Sequence, residues 1–395
     1  MSNVSSEALA PPPTTKSVRP LRVALVLDTK VWAGTEAHVL VLARTLKALP
    51  DGAVRVSVAA PSGGVLWDRV RGANLPAIAI SRRGNWDPST ALVLAKRLRS
   101  RQLDVLHVHN GRTALWGVLA VKLAGRGRCV ATQHFISPAH SVSTGWKSRI
   151  VKGIHRAVEN GIAHHIAISH AVAQTLFERT ALPSDKVTVV HNGVDVPPPN
   201  PAPVEELPDT LRADIACVAR LEIEKDIPTL IQAVKTLNAR RSETKQVRCV
   251  IAGEGEEEAH LGAIIKELAV SDTVHLAGWT PRALDILRAS QVAVLPSIAE
   301  PFGLAVLEAM GQKKPVIAVN VGGPPEIVRE GETGLLVPAS TPDAMADALE
   351  TLLDAPEKAA AMGEAGYERL RDCFSAERMA QQTLAVYRQV VAGDG

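Results

Sequence analysis

Cysteine and aromatic residues are scarce in this chain of 395 residues. Aromatic residues make up 3% of the sequence, and the four cysteines have no paired spacing: Cys129, Cys217, Cys249 and Cys373. Scattered cysteines argue against a disulfide framework and suit a reducing cytoplasm. We therefore expect a fold held by packing, and a cytoplasmic location.

Long apolar runs are also missing. No stretch reaches the roughly 20 uninterrupted apolar residues that a membrane span requires. Residues 1–20 are rich in Ser, Pro and Thr but have no apolar centre, which predicts a disordered tail and not a signal peptide. The hydrophobic content is nevertheless 46%, enough for substantial cores, and the length favours two or three domains.

The most informative segment is residues 300–310, where seven residues separate Glu300 from Glu308. A short apolar strand pattern precedes it at 292–297, and another follows at 315–319. The pattern predicts a strand, a loop with Glu300, a helix with Glu308, and a second strand. Because ligands of open parallel sheets bind at the carboxyl ends of strands, both carboxylates are candidate ligand contacts.

Glu308 is the only charge on an otherwise apolar helix. A buried carboxylate is costly unless it is paired or hydrogen-bonded, and the vicinal hydroxyls of a ribose would satisfy both of its oxygens. Glu300 could bind sugar hydroxyls, and the free N–H groups of Phe302, Gly303 and Leu304 could hold an oxyanion at the helix start. The alternative is a Glu308 bridged to a core arginine, with Glu300 an ordinary loop acid.

The segment resembles the signature of glycosyltransferase family 4, retaining enzymes of the GT-B fold that use nucleotide sugars. The resemblance extends over most of residues 21–392. It implies that Glu300 contacts the donor sugar and that Glu308 contacts the ribose. Residues 218–226 resemble the family's strand and basic loop, which implies that Arg220 and Lys225 grip the donor diphosphate. Without the resemblance, that loop reads as a surface with alternating charges.

Further motifs agree with this resemblance. Residues 321–328 match a Gly-Gly turn followed by Glu326, where the glycines would let the main chain approach a ligand and Glu326 is expected to cap or orient a helix. Residues 31–36 resemble the Gly-rich first loop that meets donor phosphate, which implies a role for Gly34. The family usually has a glycine pair there, and Ala33 replaces one. It often has Gly where this chain has Lys313.

Three histidines lie in or at the ends of predicted strands of the first half. His134 aligns with a family histidine near the donor sugar and the acceptor, which implies an active-site role; a structural histidine is the alternative. His107 and His109 have the spacing of residues on one face of a strand. A zinc pair is a second interpretation of them, but the sequence shows no third ligand of matching context.

We predict two doubly wound, Rossmann-like α/β domains that face each other across a cleft, as in GT-B. The predicted boundaries are an acceptor-side domain at 21–196, a Pro-rich linker at 197–203, a nucleotide-sugar domain at 204–375 and a final helix at 376–395 that returns to the first domain.

The function that the resemblance implies is transfer of a sugar from a nucleotide sugar to an acceptor hydroxyl with retention at the anomeric carbon. No Asp-x-Asp occurs in the chain, so neither a metal bridge to the diphosphate nor any other cofactor is expected. The alternatives are a sugar-nucleotide epimerase of the same fold and a catalytically inactive nucleotide-sugar-binding protein.

Charge is divided unequally along the chain. Residues 1–196 carry 25 Lys+Arg and 11 Asp+Glu, a net of +14, whereas residues 197–395 carry 19 and 30, a net of −11. One basic cluster holds Arg97, Arg99 and Arg101; a second, on a predicted amphipathic helix, holds Lys147, Arg149, Lys152 and Arg156. We expect a lipid-linked or otherwise anionic acceptor and peripheral contact with an anionic inner membrane face. The alternative is solvated surface with attraction between domains. Nucleic acid is not expected, because no binding motif accompanies the charge.

Overall fold

The computed structural model describes residues 19–29, 32–81, 87–135, 146–180, 182–200 and 206–393, without the side chains of residues 51, 146–152 and 154. The chain forms two parallel β-sheets, each covered by helices on both faces. The predicted doubly wound α/β class is therefore confirmed. Most of the predicted tail, and residues 201–203 of the predicted linker, lie outside the described residues. Across the described chain, no helix has both the length and the apolar character needed to cross a bilayer.

The first sheet has seven parallel strands in the spatial order β3-β2-β1-β4-β5-β6-β7. Its strands are β1 (Leu21–Val26), β2 (Val54–Pro61), β3 (Ala77–Ile80), β4 (Val105–Val108), β5 (Arg128–Gln133), β6 (His164–Ala167) and β7 (Val187–Val189). Its helices are α1 (Gly34–Ala48), α2 (Val65–Gly72), α3 (Ser89–Arg99), α4 (Gly111–Ala124), α5 (Trp146–Gly161) and α6 (His170–Arg179). The strand order reverses between β1 and β4, and ligands bind at such switch points.

The second sheet has six parallel strands in the order β10-β9-β8-β11-β12-β13. Its strands are β8 (Ile215–Val218), β9 (Cys249–Ala252), β10 (Val274–Gly278), β11 (Val292–Leu295), β12 (Val316–Val319) and β13 (Gly334–Val337). Its helices are α7 (Ile227–Ala239), α8 (Glu258–Glu267), α9 (Ala283–Ala289), α10 (Leu304–Gly311), α11 (Pro324–Ile327), α12 (Pro342–Leu353) and α13 (Pro356–Cys373). The reversal here lies between β8 and β11. The strands β9, β11 and β12 are buried on both faces, which explains their continuous apolar sequences.

A final helix, α14 (Ala376–Ala392), leaves the second half and packs on the first. Met379, Leu384 and Tyr387 on its apolar face are buried in the same core cluster as β1 and α1. The hydroxyl of Tyr387 lies 2.6 Å from Nδ1 of His107, on β4. The two segments that connect the halves also contact each other. Val194, in the first connection, and Ser375, directly before α14, form a parallel bridge.

Candidate active site

The loop after β11 and the start of α10 form the centre of the site. Gly303 precedes the helix with φ at +113°, a left-handed conformation that favours glycine. The Phe302 ring is buried and stacks on His191 with centroids 5.7 Å apart, while Phe374 meets it edge-on. The ring therefore belongs to the core, and only the main chain of Phe302 remains to face a ligand.

Glu300 and Lys225, 75 residues apart in sequence, form an ion pair. Lys225 Nζ donates to Glu300 Oε2 over 2.6 Å, and the two side chains are only 13% and 12% exposed. The main-chain oxygen of Glu300 also accepts from Gly323 N at 2.9 Å. The structure thus brings the residue predicted to contact the sugar next to a residue predicted to contact the diphosphate.

Glu308 lies on α10, where its side chain is half-buried. Within the described residues its carboxylate has no hydrogen-bond or ion-pair partner, so the alternative of a bridge to a core arginine does not hold there. Burial raises the pKa of this carboxyl from 4.5 to about 7. A carboxylate left without a partner at a switch-point helix is suited to accept hydrogen bonds from a pair of ligand hydroxyls.

Arg220 follows β8 and is the more exposed of the two predicted diphosphate contacts. Its guanidinium donates to Glu222 and to Glu224, at 3.1 Å each, and 56% of its side chain is exposed. Exposed pairs of this kind contribute about 0–1 kcal/mol, so an incoming diphosphate can compete for Arg220. Gly253 and Gly255, which follow β9, let the main chain pack closely against this loop. A Cβ on Gly253 would lie 1.8 Å from the main-chain oxygen of Ala219.

The first loop of the N-terminal half reaches this centre across the cleft. The buried carboxylate of Glu36 accepts from Ala33 N at 2.9 Å and from the hydroxyl of Thr29, which fixes the turn into α1 without the second glycine. A Cβ on Gly34 would lie 3.4 Å from Leu304 Cδ1. Gly34 and the start of α10 therefore face each other, and both were predicted to meet the donor.

Glu326 caps a helix, as expected, but the helix belongs to the other half. Its two carboxylate oxygens accept from the amides of His170 and Ala171 at the start of α6, at 2.9 and 3.0 Å, and from His191 Nε2 at 2.9 Å. Burial opposes ionisation of Glu326, but these donors outweigh it and lower its pKa. The carboxylate thus ties the two halves together beside the cleft.

The space beside Gly323 is filled by protein. A Cβ there would lie 2.3 Å from Phe302 Cα, so this glycine admits the neighbouring loop. We expected the Gly-Gly turn to let the main chain approach a ligand, and at Gly323 the structure assigns the close approach to Phe302 instead. Lys313, where the family often has Gly, adopts a left-handed φ of +57° and pairs with Glu364, so the turn forms without glycine.

His134 lies in a buried histidine cluster of the first half. Its Nε2 lies 3.1 Å from His109 Nδ1, and its ring packs edge-on against His38. Burial lowers the pKa of these three imidazoles and that of His107. The pKa is about 4 for His38, about 3 for His107, and well below 6.5 for His109 and His134. The cluster is therefore uncharged at neutral pH.

His38 was missed by sequence reasoning. It lies on α1, four residues after Gly34, in a helical apolar pattern where a histidine gives no signal of its own. The interdomain partners of Glu326 were missed because they lie in distant segments of the chain. Of the second basic cluster, the side chains of Lys147, Arg149 and Lys152 lie outside the described residues, and Arg156 is exposed.

A surface cavity of about 450 Å³ lies at the opposite edge of the second sheet. It is lined by Asp214 and Arg248, which precede β8 and β9. Ligands of open α/β sheets bind at the carboxyl ends of strands, so this cavity does not compete with the site described.

Two family models match the chain in adjacent segments. The model described as Glycosyltransferase Family 4 matches residues 32–197, and the model described as Glycosyl transferases group 1 matches residues 203–369. The second match contains Arg220, Lys225, Glu300 and Glu308; the first contains Gly34 and His134.

Curated relatives give the same family, and a solved structure gives the same fold. The chain is 30% identical to alpha-maltose-1-phosphate synthase of Mycolicibacterium smegmatis, over 94% of this chain and 100% of that protein. It is 35% identical to D-inositol 3-phosphate glycosyltransferase of Corynebacterium glutamicum, over 53% of each chain. The crystal structure of Anabaena HepE in complex with UDP superimposes with a TM-score of 0.77 at 19% identity, over 93% of this chain and 100% of that chain. That likeness confirms the GT-B arrangement of the two sheets.

Proposed function

This chain belongs to the group 1 glycosyl transferases of glycosyltransferase family 4, and we propose that it moves a sugar from a nucleoside diphosphate sugar to an acceptor hydroxyl with retention at the anomeric carbon. One observation carries the proposal most directly. Lys225, Glu300 and Glu308 lie at the carboxyl edge of the second sheet, and Gly34 faces them across the cleft.

Each group has a distinct task in this proposal. Glu308 accepts hydrogen bonds from the ribose hydroxyls, and Glu300 contacts the sugar being transferred. Arg220, Lys225 and the start of α10 hold the diphosphate and stabilise the charge that develops on it as the glycosidic bond breaks. The transition state has oxocarbenium character, as in other glycosyl transfers. A diphosphate oxygen takes the proton of the acceptor hydroxyl, and the new bond forms on the face that the diphosphate leaves.

The ion pairs of Lys225 and Arg220 are compatible with the binding of a diphosphate. Lys225 is neutralised by Glu300, and Arg220 is shared between Glu222 and Glu224. Bound diphosphate would replace the exposed pairs of Arg220 at little cost. It would also draw Lys225 toward phosphate, which leaves Glu300 free to accept from sugar hydroxyls. Donor binding and orientation of the sugar are then coupled through one lysine.

The test is a screen of nucleoside diphosphate sugars for thermal stabilisation and for diphosphate release with and without acceptor. A true donor stabilises the folded protein in proportion to the logarithm of its concentration over its dissociation constant. We expect transfer by the wild type and by Glu357→Gln, an exposed control on α13, and strongly reduced transfer by Glu300→Gln. The anomeric configuration of the product tests retention. Conversion of the donor without any acceptor would contradict transferase chemistry.

We also propose that transfer needs no metal, because cationic side chains and a helix start occupy the role that a metal bridge plays elsewhere. Activity should survive a chelator at saturating donor. Complete loss in chelator, restored by magnesium or manganese, would refute this.

For the acceptor we propose an anionic molecule bound on the basic first half. The net charge of +14 over residues 1–196 supports this, and two relatives have names that specify phosphorylated compounds. We propose a lipid-linked acceptor at an anionic membrane surface, to which Lys147 and Lys152 on α5 would contribute.

Vesicle co-sedimentation at low and moderate salt tests the membrane proposal. Binding to anionic but not to neutral vesicles, weakened by Lys147→Glu with Lys152→Glu, is the expected result. Indifference to both vesicle types, with full activity on a soluble sugar phosphate, would leave an anionic acceptor and remove the membrane.

A further inference from the structure

Three buried histidines from separate elements meet at the carboxyl edge of the first sheet. His38 comes from α1, His109 follows β4 and His134 follows β5, and their exposed fractions are 6%, 1% and 6%. One nitrogen of each lies within 4.8 Å of the corresponding atoms of the other two. None of the described contacts of Arg220, Lys225 and Glu300 involves these nitrogens.

Several of these nitrogens lack a partner. In the described part of the chain, neither ring nitrogen of His38 makes a hydrogen bond, and His109 Nε2 makes none either. Buried polar atoms are nearly always hydrogen-bonded, because leaving one unpaired costs about 1–3 kcal/mol. The unpaired nitrogens on two of the three rings therefore point to a missing ligand.

The spacing of the rings fits a tetrahedral metal ion. The ring centroids are 5.5 Å apart for His38 and His109, 4.8 Å for His38 and His134, and 5.4 Å for His109 and His134. With zinc–nitrogen bonds of about 2.0–2.1 Å, tetrahedral coordination places ligand nitrogens about 3.3 Å apart and ring centroids roughly 5 Å apart. His109 Nδ1 and His134 Nε2 are 3.1 Å apart, close to that value, and a metal ion bound by both would replace the hydrogen bond that they now share.

The surroundings supply a group that can orient one ligand. Asn192 faces His38, and its Oδ1 is also without a hydrogen-bond partner of ordinary geometry within the described residues. If one nitrogen of His38 binds a metal, the other carries a proton that Asn192 can accept. Metal-binding histidines almost always donate their second N–H in this way, which fixes the ring.

A second group of similar composition is less suitable. His170, His191 and Glu326 also have ligand atoms within reach of one another. There, however, the carboxylate already accepts from two amides and from His191, and His170 is exposed. Metal binding would have to displace the contacts that tie the two halves together.

We propose that His38, His109 and His134 form a three-histidine site for zinc, and that zinc bound there inhibits transfer. Three protein ligands leave a fourth position for water. The inhibitory part rests on the proposed function and on the role that the family resemblance implies for His134, near the donor sugar and the acceptor, because a metal-bound imidazole can no longer fill that role. The site itself rests only on the geometry.

Cobalt(II) is the probe for the site, because its visible spectrum reports coordination geometry without any activity measurement. Titration of the full-length, chelator-treated protein should give one tetrahedral cobalt per chain, displaced by zinc. His38→Gln should abolish this signal. His165→Gln, which removes another buried histidine with an unpartnered nitrogen outside the cluster, should retain it. X-ray absorption at the zinc edge of the wild type should show three imidazoles, whether or not the His38 variant folds.

Zinc should then lower transfer by the wild type at least tenfold at saturation and leave His38→Gln largely unaffected. Absence of a tetrahedral cobalt signal, an unchanged signal in His38→Gln, or a carboxylate in the zinc shell would overturn the site. Equal inhibition of both proteins would overturn the inhibitory role. Failure to find any transferase activity would refute the proposed function and leave the cobalt result standing.

Discussion

Replacing Glu308 by Gln should change stability and donor affinity in opposite directions. The carboxyl of Glu308 has no partner among the described residues, and burial raises its pKa to about 7. The ionised form is therefore disfavoured in the free protein. Bound ribose hydroxyls would favour it, because they donate to it. Glutamine keeps the shape and removes the charge.

The magnitude follows from the pKa. A carboxyl that titrates at 4.5 when unfolded and at about 7 when folded binds more protons in the folded state between these values. Its contribution to stability is therefore fully present below pH 4.5 and is lost as the pH rises through about 7. At about 1.4 kcal/mol per pH unit, the loss is on the order of 3 kcal/mol above neutrality. Glutamine avoids this loss, so the variant should melt several degrees higher at about pH 8.

Donor binding should move the other way. Removing a charged hydrogen-bond acceptor costs about 1–3 kcal/mol, which corresponds to roughly 5- to 150-fold weaker binding. For the wild type, affinity should also rise as the pH increases through 7, because the ionised carboxylate is the better acceptor. The variant should lose this pH dependence.

Melting curves and calorimetric titration with donor at about pH 5.5 and about pH 8 decide the matter, with Glu357→Gln as the control. The stability gain of Glu308→Gln should be about half as large at the lower pH as at the higher, because the penalty grows by about 1.4 kcal/mol per pH unit between 4.5 and about 7. A variant that is less stable at the higher pH, or that binds donor as tightly as the wild type, would refute the assignment of Glu308.

Three further substitutions test other parts of the site. Glu300→Gln should mainly lower turnover with a small change in donor affinity, and steady-state kinetics that show the reverse would contradict a contact with the transferred sugar. Glu326→Gln should lower the melting temperature, because it weakens charge-assisted bonds worth about 1.5–3 kcal/mol. Its lowered pKa means that this stabilisation is present above pH 4.5 and is lost as the pH falls, so wild type and variant should converge in acid. Gly323→Ala should destabilise by about 1–3 kcal/mol, because its Cβ would lie 2.3 Å from Phe302 Cα, whereas Gly262→Ala on α8 meets nothing within 4 Å and should be neutral or stabilising.

The sequence predicted well those features that are carried by one strand, one loop or one helix. Glu300 and Glu308 are placed by a continuous strand-loop-helix pattern, and Arg220 and Lys225 by the loop after β8. Periodicity and chain-local signals are sufficient for such units. The resemblance to a family then assigned roles that periodicity cannot supply.

Contacts between distant segments were the part that sequence could not predict. Lys225 meets Glu300 because β8 and β11 are neighbours at the switch point, a consequence of strand order. Glu326 caps α6 because the two halves dock in one particular orientation. His38, His109 and His134 come together because α1 begins, and β4 and β5 end, at the same edge of the first sheet. Each such contact depends on three-dimensional neighbours that a single sequence does not display.

The return of α14 to the first half has a consequence for synthesis of the protein. The apolar surface of the first half that Met379, Leu384 and Tyr387 cover stays exposed until α14 has left the ribosome. The second half, by contrast, has the strands and helices of its main core in one continuous segment. We therefore expect the half that is made later to complete its core first, and the half that is made first to depend on assistance while it waits. A nascent chain stopped before residue 376 should bind chaperones and resist release, because its exposed apolar face has no partner in the chain made so far.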